Sequence, residues 1–358
     1  MFYSSAPARV CLYGEHQDYL QLDVIPAAIN LRLSIYTELS DTNFIHVFSK
    51  DLQQRTTISK SITSLTNNKG NLQTYLEAGI LALKKFQPHL IIPSLTISIE
   101  SQIPIASGLS SSAALLVCWI KNISEILELK LKKEEIAELA YDAEHNILGI
   151  PCGRMDQYAC SFGEIIRLSC VEPPEVVKLK KPDIELLIVD SQTPKLTSKV
   201  HGKMVREIKE KVNHFESLSQ HKLFESSLET LIEERNNLSK EEYRILKGVV
   251  SIKEYTKQAE NELSKSQINF EMLGELLTLQ HNELKENIGV SIPILDKIVN
   301  ESLSLGALGA KLTGAGLGGS VVVMTKDNTK DVAERLRQSL KLPVTVVEID
   351  KGVDFKIS

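Results

Sequence analysis

Four segments of this 358-residue chain concentrate side chains that could bind a phosphoryl group or the substrate that receives it. Two of them, Pro104-Ile-Ala-Ser-Gly-Leu-Ser-Ser-Ser-Ala-Ala114 and Lys311-Leu-Thr-Gly-Ala-Gly-Leu-Gly-Gly-Ser320, are built largely from the small and hydroxyl residues that let backbone amides close around phosphate. The first runs straight into the apolar stretch 113–120. That places Ser107, Gly108, Leu109, Ser110, Ser111, Ser112 and Ala113 at a helix start, where free N–H groups and the helix dipole favour an anion. No lysine follows Gly108 as G-x-x-x-x-G-K-[ST] requires, so the ordinary P-loop is excluded. The phosphate charge must then be met by the dipole and by a Mg²⁺ ion held between a serine hydroxyl and an acidic residue elsewhere. Serine is also a preferred helix cap, so the first segment alone is equally what a plain capped helix looks like. The second glycine-rich segment tips the reading towards nucleotide phosphates.

The third segment, Gly14-Glu-His-Gln-Asp-Tyr19, packs two carboxylates, an imidazole and a phenol directly after a strand-like run. A polyhydroxylated ligand needs donors and acceptors at fixed angles, which such a cluster supplies; a polar strand-end turn would use one or two of them. A fourth stretch, Ala143-Glu-His-Asn-Ile-Leu-Gly-Ile-Pro-Cys-Gly-Arg-Met-Asp-Gln157, ends a helix in a Gly/Pro bend and then presents Asp156. Glu144 could reach a metal from the helix, and Asp156 could take a proton from a substrate hydroxyl. The alternative is a charge cluster at a helix end with a surface aspartate.

These segments need elements to position them. Short β-branched runs at 7–48 and 90–100 predict strands, and the Ser/Thr/Asn/Lys tract at 57–70 predicts a surface loop. Helical periodicity covers 110–128, 132–148, 199–217, 240–264, 269–286 and 291–304. The Pro-rich stretch 172–184 suggests a boundary near 180, dividing the chain into 1–180 and 181–358. The end of the chain reads strand 320–325, helix 328–340 and strand 344–349, an α+β sandwich pattern.

Composition bounds the partners. With 42% apolar and 24% charged residues and a net charge of −5, the chain is an ordinary globular one without the basic excess of a nucleic-acid binder. Cys11, Cys118, Cys152, Cys160 and Cys170 form no C-x-x-C pair, so they read as buried free thiols. No signal-type or membrane-length apolar run is visible, which leads to the expectation of a cytoplasmic enzyme without nucleic-acid or membrane partners. Self-association, whether monomer or homodimer, leaves no mark in the pattern.

Taken together, A-P-x-R-V-x-L-x-G-E-H-x-D-Y at 6–19, P-x-x-x-G-L-S-S-S-A-A at 104–114 and K-L-T-G-A-G-x-G-G-S at 311–320 resemble the GHMP kinase superfamily, and its galactokinase branch most of all. The motifs occur in that family's order. Ala143–His145, Pro151–Gln157, Leu273–Leu284 and Val290–Asp296 extend the likeness, which spans residues 6 to about 325. It implies a two-domain α+β fold, with a ribosomal S5 domain 2-like N-terminal domain and a ferredoxin-like α/β sandwich C-terminal domain. It also implies ATP-dependent phosphorylation of a monosaccharide, at the anomeric C1 hydroxyl. By the same resemblance Ser107 to Ala113, Gly314 and Gly316 shape the ATP site, Ser111 or Ser112 with Glu144 holds Mg²⁺, and Asp156 is the base assisted by Arg9. Glu15, His16, Asp18, Tyr19 and Gly153 would line the sugar pocket.

The chain departs from the galactokinase pattern at Gln17, where threonine is usual, and at Leu20–Asp23, where an Asn-Gly turn is usual. Near 196–202, His201 stands about where those enzymes place a sugar-facing tyrosine. Mevalonate kinases share the glycine-rich loops and the G-x-S-x-P helix at Gly289–Pro293, but Asp18 and Tyr19 offer hydrogen bonding that suits vicinal hydroxyls rather than an apolar methyl-bearing acid. Another GHMP small-molecule kinase and a non-catalytic sugar sensor on a kinase fold, which would not need Asp156, are further alternatives; an RNA-associated β-α module is weakened by the acidic balance.

Overall fold

The computed structural model describes residues 1–67, 70–194 and 198–357. In chain order the first lobe contains β1 (Phe2–Tyr13), β2 (Ile25–Leu39), β3 (Phe44–Ser49), β4 (Gln54–Ser59), α1 (Leu72–Phe86), β5 (Leu95–Ser101), α2 (Ser111–Ile126), α3 (Lys133–Tyr141), α4 (Met155–Phe162), β6 (Ile166–Ser169) and β7 (Glu175–Lys178). The chain then passes to β8 (Glu185–Asp190), α5 (Ser198–Ser219), α6 (Leu228–Glu233), α7 (Lys240–Leu263), α8 (Phe270–Glu283), α9 (Pro293–Ser304), β9 (Gly309–Thr313), β10 (Ser320–Thr325), α10 (Thr329–Leu340), β11 (Val344–Val347) and β12 (Asp354–Ile357). Two main sheets organise these elements, ordered β12-β1-β2-β5-β3-β4 and β11-β8-β10-β9, and β6 pairs with β7 in a separate two-stranded ribbon. All pairings in the second sheet are antiparallel, and numbered by chain order its strands lie 4-1-3-2 across the sheet, the split β-α-β arrangement of a ferredoxin-like sandwich.

Local chemistry explains the elements that carry the site. The serine-rich loop enters α2, whose Ala113–Ile120 run is buried against β1 and α1. Gly79 lets α1 approach α2 closely: a Cβ there would sit 2.7 Å from Trp119, whose indole donates to Leu76 O at 2.9 Å. α1 falls in a stretch to which patterning assigns nothing, because it is buried on several faces, with Glu77 among them, and shows no clean apolar stripe. Glu77 is satisfied by Thr66 N, Thr66 Oγ1 and Gln73 Nε2, and so ties down the loop before α1.

Four expectations are corrected. Residues 57–59 belong to β4, an edge strand whose exposed face makes it read as polar loop; Ile58 faces the core. The strand expected from residue 90 begins at Leu95, since Pro93 cannot donate to a ladder. The helix expected over 132–148 is α-helical to Tyr141 and then widens into a π-helical turn, Asp142–Ile147. Likewise α8 gives way to a π-turn at Leu284–Ile288, so that the 269–286 period is not uniformly α-helical.

Candidate active site

The site begins on β1, a strand buried along nearly its whole length. Arg9 projects from it towards two other segments, donating from Nε to Asp156 Oδ1 at 2.7 Å and from Nη1 to Gly108 O at 2.7 Å. Burial alone would weaken its hold on the proton, but Asp156 and Glu15 more than reverse this, so the guanidinium is a fixed cation. Asp156 follows the Pro151-Cys-Gly153 bend and sits in the first turn of α4, where the helix dipole favours a carboxylate. Its second oxygen, Oδ2, accepts from the Ser110 hydroxyl.

Ser110 is the N-cap residue of α2, yet its side chain makes no cap bond. Its backbone is left-handed, with φ of 63°, and this turns the hydroxyl away from the helix and onto Asp156. The expected serine cap is therefore diverted to the carboxylate.

The two glycine-rich segments meet back to back. Gly108 (φ +81°) has Thr313 O 2.6 Å from where a Cβ would be, and Gly314 (φ +88°) has Gly108 O at 2.8 Å, so neither position has room for a side chain. Gly316 is fitted equally closely against Val290 O.

The segment after Gly14 supplies the polar cluster. Glu15 accepts from Lys311 Nζ at 3.0 Å, and His16 Nδ1 lies 3.0 Å from the Tyr19 hydroxyl. Burial, together with the nearby His201, lowers the His16 pKa to about 3 and keeps the ring neutral. Asp18 behaves oppositely: burial and then the negative Asp156 raise its pKa to about 7. Gly153 lies flat against that carboxylate, since a Cβ would come within 2.0 Å of Asp18 Oδ2. Glu144, on the π-turn and buried, accepts from Gln157 Nε2 at 2.7 Å.

A cavity of about 610 Å³ gathers these groups. Arg9, Glu15, His16, Asp18, Tyr19, Gly108, Ser112, Glu144, Gly153, Asp156 and Gly314 all line it. The other expected residues frame the wall from behind: Ser107 donates to Pro104 O, Leu109 and Ala113 are buried, Ser111 opens α2, and Ser110 and Gly316 act through Asp156 and Val290. Residues 196 and 197 lie outside the described ones, whereas His201 is in the cavity wall, 6.0 Å between ring centres from His16. Tyr75, Cys152 and Arg206 also line the cavity without having been anticipated. Cys152 is only half-buried, unlike the other four cysteines, and no disulfide joins any of them.

Comparison with known proteins agrees with this architecture. The GHMP kinases N terminal domain model matches residues 74–164, the GHMP kinases C terminal model matches 262–342, and the galactokinase galactose-binding signature matches 1–37. These matches and the two-lobed fold define a GHMP-type small-molecule kinase, which uses ATP. The galactokinase of Thermotoga maritima is 30% identical over 362 residues, 97% of each chain. The structure of Lactococcus lactis galactokinase complexed with galactose superposes with a TM-score of 0.87 at 25% identity, over 98% of this chain and 94% of that one. Methanococcus jannaschii mevalonate kinase, at TM-score 0.75 and 24% identity over 98% of each chain, shares the fold. The chain belongs to the galactokinase family of GHMP kinases and is an ATP-dependent sugar kinase. Among the described residues no helix is long and apolar enough to cross a membrane.

Proposed function

We propose that the sugar is galactose and that the γ-phosphoryl group of ATP is transferred to its anomeric hydroxyl, with no covalent enzyme intermediate. The observation that carries this reading is the Asp156 carboxylate, aimed into the cavity and held at both oxygens by Arg9 and Ser110. Asp156 accepts the hydroxyl proton as that oxygen bonds to the γ-phosphorus and the bond to the β–γ bridging oxygen breaks. Arg9 stays charged throughout and offsets the negative charge that develops. Glu15, His16, Asp18 and Tyr19 hold the sugar, with Asp18 accepting from two ring hydroxyls once ionised. The paired glycine loops and the α2 N-terminus cradle the nucleotide phosphates.

Mg²⁺ fits the residues present. Glu144 and Ser112 place hard oxygen donors on one wall, and the buried Gln157 Oε1 beside them lacks a protein partner. Among the described residues no cluster of three acidic, His or Cys side chains forms a cage, which suits an ion that takes few protein ligands and completes its shell with phosphate and water. Bound there, the ion would neutralise phosphate charge. ATP use and free thiols support a cytoplasmic setting.

The test is a coupled ADP-release assay over galactose, N-acetylgalactosamine, galacturonic acid, arabinose and mevalonate, with the product position read by ³¹P and ¹H NMR. Galactose 1-phosphate is the expected product. Asp156→Asn should lower kcat by about 10²–10⁴-fold while ATP affinity by calorimetry changes little. Unchanged turnover in that variant removes Asp156 from the reaction.

A further inference from the structure

Strand β9 turns its residues to two different surroundings. Ala310 and Leu312 join the apolar core of the second lobe, while Lys311 and Thr313 face across to the first. Thr313 Oγ1 accepts from the Cys11 amide of β1 at 3.1 Å; Lys311 Nζ donates to Glu15 Oε2 at 3.0 Å and to Leu312 O at 2.9 Å. The pair is sealed from water, with side-chain exposures of 0% for Lys311 and 3% for Glu15. Phosphoryl transfer as described makes no use of Lys311, and a buried ammonium is costly unless a fixed partner compensates it. Glu15 meanwhile lines the cavity, and the same strand leads directly into Gly314, which packs on Gly108.

We propose that Lys311 is a positioning residue for the sugar: it holds the Glu15 carboxylate oriented towards the cavity, so that the strand feeding the glycine-rich loop also sets a sugar-binding acceptor. The inference rests on the sugar-kinase reading and adds a residue to it. The charged and titratable groups around Glu15 are Arg9 and Cys11 from β1, Asp18 and Tyr19 from the turn that follows, and Lys311 from β9. Only Lys311 and Arg9 among them are cations, and Arg9 is committed to Asp156. Without Lys311, Glu15 would be a buried carboxylate beside Asp18 with no cation committed to it.

The test uses Lys311→Met, Lys311→Arg, Glu15→Gln and the double variant Glu15→Gln/Lys311→Met in the full chain. For galactose, Lys311→Met and Glu15→Gln should each raise KM about tenfold or more with kcat changed less than threefold, and the double variant should be no worse than either single one. Lys311→Arg, which keeps the cation, should stay within about threefold of the unmodified KM. Multiplying effects in the double variant, or a Lys311→Met KM within twofold of normal, overturns the proposal.

A second arm needs no sugar. Measured at pH 7 without ligand, the Tm of Lys311→Met should fall below that of the double variant, because removing one partner of a buried pair leaves the other uncompensated. The double variant, having no carboxylate there, should lie closer to the unmodified protein. A Lys311→Met Tm no lower than that of the double variant, or a double variant that does not fold, makes Lys311 a packing residue and overturns the proposal. If the unmodified protein turns over another sugar and not galactose, the galactose reading fails; the kinetic arm is then run on that sugar, and the thermal arm decides as before.

Discussion

Asp18 is a carboxylate held where ionisation is unfavourable, half-buried and facing Asp156, with its pKa moved from 3.8 to about 7. The folded protein therefore keeps a proton that the unfolded chain gives up, and stability is lost as pH rises through that interval, the penalty being complete above about pH 7. Asp18→Asn should raise the Tm of the ligand-free protein at pH 8 and leave it nearly unchanged at pH 4, as scanning calorimetry would show. Sugar hydroxyls need the ionised acceptor, so galactose affinity by titration calorimetry should be about tenfold weaker at pH 6 than at pH 8, following the ionised fraction. An affinity flat over that range means Asp18 does not bind sugar as its charged form. Ser110 tests the other carboxylate. Because its φ is 63°, Ser110→Gly removes the hydroxyl and relieves a left-handed strain of about 1 kcal/mol that Ser110→Ala keeps. Both should lower kcat about tenfold and shift the acid limb of the kcat profile to higher pH, since a hydrogen bond to the charged form is lost; the glycine variant should have the higher Tm of the two. An unmoved acid limb in Ser110→Gly would show the hydroxyl to be idle. Residue type made Asp156 legible as a candidate base. Arg9 was legible as its companion only through the family resemblance, and Ser110 was not, since both lie far from it in sequence and meet it only through the fold.

At the scale of elements, the site depends on how closely backbones approach. Gly153, at the bend before α4, has no left-handed φ, so Gly153→Ala acts by volume alone: the new methyl falls 2.0 Å from Asp18 Oδ2 and must displace it. Sugar KM should rise at least tenfold with ATP KM unchanged; equal changes in both would mean that the whole bend, not Asp18, had moved. Elements with a strong local signal were readable, among them α7 with its capping box at Ser239 and β10 with its unbroken run Val321–Met324. α1, with Thr74 and Glu77 among its buried residues, and the edge strand β4, with its polar exposed face, were not. The π-turn that carries Glu144 also escaped notice, because one extra residue in a turn leaves the apolar period almost intact while rotating the next side chains. Lys311 was hidden for a related reason: a lysine in a short strand reads as solvent-facing until the register shows both of its faces covered.

The whole molecule binds these elements into one cooperative body. A single apolar cluster includes Ala6, Val10 and Leu116 of the first lobe together with Leu186, Ile188, Val322 and Met324 of the second. The end of the chain returns to its beginning: β12 pairs antiparallel with β1, Arg32 Nη1 donates to Asp350 Oδ2 at 2.6 Å, and the Ser5 hydroxyl donates to Asp354 Oδ1 at 2.7 Å. A chain cut at 180 would keep β1 and β2 but lose β12, leaving one edge of the first sheet unpaired and Arg32 without either carboxylate. Chains of this length commonly unfold in steps, one domain after another. Here the shared core and the strand exchange argue against that, because neither lobe can open without exposing the apolar face of the other. Scanning calorimetry should accordingly give one transition with calorimetric and van't Hoff enthalpies in agreement, and the 1–180 fragment expressed alone should lack the near-ultraviolet dichroism expected for the packed Trp119. Two resolved transitions, or a fragment with native-like near-ultraviolet dichroism, would mean that the lobes are independent and that the cleft between them is set by hinge motion rather than by a common core.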